Sequence, residues 1–418
     1  MIYSLLSQLL FTHSLTHLLT YSLIHTGTKL INAAIDGDYE LVQRYISNDN
    51  IDVNCRDWDD VTPLIGAATT TNIEIIKYLI TAGAQVDLYD KSNLTALMEA
   101  CIKGVFDIVE YLINAGADVN MQATSGVNAL WLAANSGSHK IVELLLTNHA
   151  DINNKKYDGQ SILHVACEGG HVDIVKLLLD EGISVDEPDQ ENITPLIMAA
   201  ENGSLPIVEL LVTNGAKVNL LSKNGGFSPL IVAAAHGHYD VVKYLLEHGA
   251  EVDIEHPENL SALMYAAAGG YTDVVKLLLK NKASVNRVHK EGGSALSEAA
   301  SNGNFTCFQA LIDAGADYNV VDSDGIAALH TASAGGHLDI VKLLVNKKVN
   351  INLVSDAGAT SLYYAASGGH VEVVKQLLLH NPHLDVQVKS SLDYIKKVQS
   401  SENNMEVSTH SLTYLLTH

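Results

Sequence analysis

One frame of letters returns along this chain every 33 or 34 residues. Thr62-Pro63-Leu64, Thr194-Pro195-Leu196 and Ser228-Pro229-Leu230 open three copies, and the frame starts near residues 28, 62, 95, 128, 161, 194, 228, 261, 294, 327 and 360. These eleven copies run almost without interruption from residue 27 to 388. A period of this length marks a supersecondary unit too small to bury its own apolar face, which gains a core only by stacking on its neighbours. The 418 residues suggest two or three domains by length alone, but reduce to one repetitive array with unrelated ends.

Within a copy, the letters predict a short helix, a turn, a second helix and an extended finger. The opening Ser or Thr can cap a helix N-terminus, and proline at the next position suits the first turn. Leu196, Ala199 and Ala200, like Leu263, Ala266 and Ala267, fall at i, i+3 and i+4 on one face, where alanine permits close helix packing. A glycine then stops the helix, as at Gly104, Gly137, Gly203, Gly237 and Gly303. The second helix opens on an acid with a lysine three residues on: Glu74/Lys77, Asp173/Lys176, Asp240/Lys243, Asp273/Lys276, Asp339/Lys342 and Glu372/Lys375. Such pairs read as weak surface bridges rather than catalytic dyads.

These letters closely resemble the ankyrin repeat family. Leu163-His164, Gly237-His238, Val241-Val242-Lys243 and Gly116-Ala117-Asp118-Val119-Asn120 are pieces of its signature, and the likeness covers roughly 85% of the chain. Asp60 stands where a finger glycine is expected, Asn128 and Ala327 replace the capping Ser/Thr, and Cys101, Cys167 and Ser333 replace a core alanine. The resemblance implies an all-α repeat solenoid of helix–turn–helix units with β-hairpin-like fingers. The copy at Thr28 is the expected N-terminal cap, residues 389–398 form a C-terminal capping helix, and 399–418 are a low-complexity tail.

Residues 1–26 form a low-complexity segment without a charged side chain. A signal peptide is one reading, although a basic n-region and a small-residue cleavage site are missing. The cycle Ser14-Leu15-Thr16-His17 returns in Ser411-Leu412-Thr413-Tyr414, which favours simple-sequence DNA as the origin of both ends. Ser, Thr and His interrupt the leucines before a bilayer-spanning length is reached.

Composition restricts the chemistry. Acids outnumber bases 48 to 25, a net charge of −23 that disfavours nucleic acid and anionic membranes as partners. Cys55, Cys101, Cys167 and Cys307 show no metal-ligand spacing and read as buried thiols in a reducing compartment. Among the 19 histidines, His164 and His330 take the Leu-His slot, and His171, His238, His337 and His370 open second helices. All six read as structural, and His236 with His238 is a weak metal pair. No HExxH, GxSxG, Walker-type or kinase signature occurs, so the sequence predicts no catalytic residues, cofactor or metal.

What remains is a surface. The family generally binds other proteins in a groove lined by fingers and first helices, and those offsets carry over copy by copy. On the fingers they give Trp58, Asp59, Lys91, Tyr157, Asp158, Gln190 and Glu191, and further along Lys290, Glu291 and Asp324. On the helices they give Glu99, Trp131, Asn135, Glu168, Met198, Glu201, Asn202, Tyr265, Glu298 and Tyr364. Asp158, Glu168, Glu191 and Glu201 gather acids beside Tyr157 and Trp131, which suits a basic extended partner segment, although Lys155 and Lys156 stand close by. The expectation is a monomeric, cytoplasmic (or nuclear) adaptor that binds protein partners without catalysis. A recognition arm or fragment of a larger signalling, ubiquitin-ligase or membrane-associated protein is the alternative.

Overall fold

The computed structural model describes residues 27–380, so the expected segment 1–26, capping helix 389–398 and tail 399–418 lie outside the described residues. Eleven helix pairs follow the eleven frames, and they divide into two compact units at Lys217/Val218. The first unit holds α1 (27–35), α2 (Tyr39–Ser47), α3 (Pro63–Ala68), α4 (Ile73–Thr81), α5 (Ala96–Lys103) and α6 (Phe106–Asn114). It continues with α7 (Ala129–Asn135), α8 (His139–Thr147), α9 (Ile162–Glu168), α10 (Val172–Asp180), α11 (Pro195–Asn202) and α12 (Leu205–Thr213). The second holds α13 (Pro229–Ala235), α14 (Tyr239–Glu247), α15 (Ala262–Gly269), α16 (Thr272–Lys280) and α17 (Ala295–Ser301). It closes with α18 (Phe305–Asp313), α19 (Ala328–Ala334), α20 (Leu338–Asn346), α21 (Ser361–Ser367) and α22 (Val371–Leu378). The fold class is an all-α repeat solenoid.

Within each unit, first helices pack on first helices and second helices on second, which gives two layers. Alanines such as Ala199, Ala200, Ala266 and Ala267 are fully buried where first helices meet. Each second helix contributes a triplet such as Ile75, Ile76 and Leu79, also fully buried, with each large aliphatic worth about 1.5–3 kcal/mol.

The opening polar residue caps its helix in nine copies, Thr62, Thr95, Asn128, Ser161, Thr194, Ser228, Ser261, Ser294 and Thr360 all accepting a backbone N–H three residues on. The first copy departs, because Thr28 already lies within helical residues. Ala327 cannot cap, and its own N–H instead donates to Nδ1 of His330 at 3.0 Å. The finger turn needs a left-handed residue. Gly126, Gly159, Gly292 and Gly325 supply it, and Asp60, Asn93, Asn192 and Asn259 do so at φ of 57–60°, so the missing glycines leave the turn intact. Of the six acid–lysine pairs, Glu74–Lys77 closes at 2.8 Å and Glu372–Lys375 at 2.6 Å. The four aspartate pairs do not close.

Polar bonds stitch neighbouring copies along three lines. At the fingers, Lys91 N–H donates to Asp59 O (3.0 Å), Tyr157 to Ser125 (3.0 Å) and Gln190 to Asp158 (3.0 Å); in the second unit Lys290 donates to Glu258 (3.1 Å), Ser323 to Glu291 (2.8 Å) and Asp356 to Asp324 (2.9 Å). After the second helices, the side chains of Asn54, Asp87, Asn120, Asn219 and Asn286 accept the N–H of Gln85, Asp118, Asp151, Glu251 and Asp317 at 2.7–3.0 Å. At the helix turns, Nε2 of His171, His337 and His370 donates to the carbonyls of Asn135 (3.3 Å), Ser301 (3.0 Å) and Ala334 (2.7 Å). All three histidines therefore have the structural, helix-start role expected of them.

Candidate functional site

Fingers and first helices carry the side chains that the repeat offsets assign to partner binding. The finger ladder fixes the tips in register, and the tip side chains project from it. Trp58 is 62% exposed and Tyr157, whose ring edge lies against Gly126, 69% exposed. Asp59 and Lys91 lie on successive tips and pair at 3.4 Å. Gln190 reaches back to its neighbour, donating from Nε2 to Tyr157 O at 2.6 Å.

The acids around 158–201 are not all available charge. Lys156 pairs with Asp158 at 2.6 Å and Lys155 pairs with Glu187. Burial raises the Asp158 carboxyl, but Lys156 and the N–H of Gln160 outweigh it, so the group ionises below its usual range. Glu168 is exposed on α9, and Glu191 and Glu201 are exposed and hydrogen-bonded or paired. Asn202, a groove candidate by offset, spends its amide on the Glu168 carbonyl at 2.8 Å and so joins copies five and six. Glu99 is half-buried on α5, and burial pushes its carboxyl above the usual range. Trp131 and Met198 are half-buried, and the indole Nε1 of Trp131 is out of solvent with no hydrogen-bond partner.

In the second unit the candidates fall apart into separate places. Tyr364 donates to Ser355 Oγ at 3.3 Å and packs edge-on against His330. Tyr265 packs on Phe227, centroid to centroid 5.8 Å, and its hydroxyl is pushed above the usual range by burial and by Glu298. Next to it lies a recess of about 350 Å³, lined by His289, Glu291, Asp322, Ser323 and Asp324 from two fingers and by Ser297, Glu298, Ser301 and Thr331 from α17 and α19. Burial raises the Glu298 carboxyl, against the pull of His289 at 3.8 Å. Lys290 is turned away to Glu258 at 2.9 Å, so no lysine neutralises the recess. Glu291, Glu298 and Asp324 follow from the repeat offsets, but their convergence does not, because it depends on how copies eight, nine and ten stack. Phe227 takes the slot before the capping residue that Val61, Leu94, Val127 and Ile193 fill in other copies, and nothing in the repeat letters marks its contact with Tyr265.

Among the described residues no group of three His, Cys, Asp or Glu side chains could hold a metal ion, and no helix is long and apolar enough to cross a membrane. All four thiols are free.

The family model for ankyrin repeats, built on three copies, matches residues 30–123, 115–189, 184–256, 248–322 and 296–390. The chain belongs to the ankyrin repeat family. Over 58 residues it is 41% identical to alpha-latrocrustotoxin-Lt1a of Latrodectus tredecimguttatus, a match that covers 14% of this chain and 4% of that protein's length. The chain thus spans only a small fraction of the curated relative it matches. The solved human ASB11 ankyrin repeat domain is 32% identical, with a TM-score of 0.46 over 48% of this chain and 89% of that one.

Proposed function

We propose that the chain is a non-catalytic interaction scaffold, monomeric and cytoplasmic, that binds an extended protein segment along its fingers and first helices. One observation carries this reading. Within each unit, neighbouring tip backbones are bonded to one another, while the tip side chains differ and stand in solvent. A surface held this rigidly loses little ordering entropy when a partner docks. Exposed Trp58 and Tyr157 are the aromatic anchors, and the acidic recess at 289–331 favours a basic side chain in the partner. The match to a small part of a much longer relative supports a second reading, in which the same surface is the recognition arm of a larger protein.

The test is site-specific photocrosslinking in cells that express the full chain. A crosslinking residue at Tyr157 should yield a partner adduct, and one at the exposed Glu209 of α12 should yield none. Equal adducts from both positions would remove the finger surface from consideration. Glu291→Lys with Glu298→Gln should weaken adduct formation in a salt-dependent way, and indifference to both changes would refute the electrostatic part.

A further inference from the structure

We infer that His164 and His330 make the array acid-sensitive at two seams, one in each unit, because protonating either ring breaks its bonds and opens the interface to the next copy. Both occupy the third helical position of a first helix. His164 is fully buried and His330 is 1% exposed. The corresponding slots of other copies hold Ile65, Met98, Trp131, Ile197, Ile231, Met264, Ser297 and Tyr363, none of which titrates near neutrality.

The bonds determine where the proton sits. Nδ1 of His164 accepts the N–H of Ser161 at 3.2 Å and lies 2.8 Å from Ser161 Oγ, and its Nε2 lies 2.9 Å from Ile193 O. Nδ1 of His330 accepts the N–H of Ala327 at 3.0 Å, and its Nε2 lies 2.9 Å from Leu353 O. A carbonyl only accepts, so each ring is the neutral tautomer with hydrogen on Nε2 and both nitrogens engaged. A second proton, on Nδ1, would face a backbone N–H at either ring and place a charge in a buried site; at His164 its one acceptor would be the Ser161 hydroxyl, which already accepts the His164 N–H. The bond to Ile193 reaches the end of the finger that leads into copy six, next to the cap Thr194 and in the finger that Gln190 ties to Asp158. The bond to Leu353 reaches the finger that leads into copy eleven, whose Tyr364 packs on the ring at 5.6 Å.

The charged groups facing His164 are Asp189 and Glu187, which favour protonation, and Lys155, which opposes it. Asp189 already accepts the N–H of Glu191 and Ile193, and Glu187 is paired with Lys155. Facing His330, only Asp322 acts, and it accepts the N–H of Asp324 and Ile326. Burial is the largest influence on both rings and holds them below the usual histidine range. An opened seam returns its histidine to about 6.5. The closed seams are therefore at full strength above about 6.5. As the pH falls from there toward the closed-state value, the open form takes up a proton that the closed form refuses. Opening at each seam then grows by as much as about tenfold per pH unit.

Hydrogen exchange on the full chain at pH 7.5 and 5.5 tests this, with labelling times scaled to the intrinsic exchange rate. Segments 161–168 and 193–202, and 327–334 and 353–367, should lose up to about tenfold more protection at pH 5.5 than 95–103 and 128–135, whose seam has no such histidine. In His164→Gln, which keeps a capping side chain that does not titrate, the response of the first unit should disappear and that of the second persist. Wild-type seams that change no more than the control seam would overturn the inference, as would an undiminished first-unit response in His164→Gln. Should that variant fail to fold, the comparison of seams within the wild-type chain decides alone.

Discussion

Ser333 stands where most copies place alanine, and replacing it should stabilise the second unit. The residue is fully buried on α19, and its Oγ has no hydrogen-bond partner. Its counterparts Ala300 and Ala366 on the flanking first helices are fully buried without any polar atom to satisfy. A buried hydroxyl left unpaired costs about 1–3 kcal/mol, and serine is about 0.5 kcal/mol poorer than alanine within a helix. The small void left by the oxygen offsets part of this, so Ser333→Ala should gain about 1–2 kcal/mol. In a repeat array the gain belongs to one copy and its two interfaces, so it should appear in the urea transition that exposes α17–α21. With a slope of about 2 kcal/mol/M, the midpoint should rise by about 0.5–1 M. Hydrogen exchange would place the change in the second unit. The reciprocal variants Ala300→Ser and Ala366→Ser should each lose a similar amount. An unchanged or lowered midpoint in Ser333→Ala, or reciprocal variants without cost, would refute the reasoning.

Lys282 and Lys348 hold φ of 68° and 61° at the turn where Gly83, Gly116, Gly182, Gly215, Gly249 and Gly315 occur in other copies. A left-handed backbone costs an ordinary residue about 1–2 kcal/mol; after the entropy that glycine loses on folding, Lys282→Gly and Lys348→Gly should each gain about 0.5–1 kcal/mol in denaturant melts. Loss of stability in both would contradict this. Arg287 donates from Nε to Asn259 O and Oδ1 (3.1 and 2.9 Å), from Nη1 to Asp253 O (3.0 Å) and from Nη2 to Ile254 O (3.1 Å). Lysine keeps the charge but not the fork, so Arg287→Lys should cost about 1–3 kcal/mol, and a melt matching wild type would show the fork to be idle. Burial pushes the Cys55 thiol up to about 12 and also raises Cys101, Cys167 and Cys307. Ellman's reagent at pH 8 should therefore find no fast thiol in the native chain and four in urea, and a fast native reaction at Cys55 would contradict its protonated state.

The framework was legible because it is carried by residues acting on near neighbours. Thr62 caps Ile65 three residues on, and a fixed interval in sequence is enough to predict that bond. Copy-to-copy bonds are another matter. Asn202 and Glu168 are 34 residues apart, Asn54 and Gln85 31, and nothing local reveals that their side chains and backbones meet. Offsets place a residue on a face, whereas its partner depends on the stacking of the next copy. For that reason Asn202 reads as a groove residue in sequence and is a clamp in the fold.

The same distinction divides the acids. Asp57, Asp90, Asp189 and Asp322 each accept two backbone N–H groups through Oδ1 and thereby shape a finger turn. Ser222, His256, His289 and Ser355 accept an N–H at the same point of their own copies, so the turn requires an acceptor rather than a charge. Among the acids two residues further along, Asp158 also accepts a backbone N–H, from Gln160. Asp59 and Asp158 are paired with lysines, whereas Glu291 and Asp324 border the recess with no lysine bound to them among the described residues. These turn aspartates contribute to the net charge of −23 as architecture. Acids without a fold-forming bond are the ones that can select a partner, and under the proposed function this puts the electrostatic weight on Glu291 and Asp324, in the fingers of copies eight and nine.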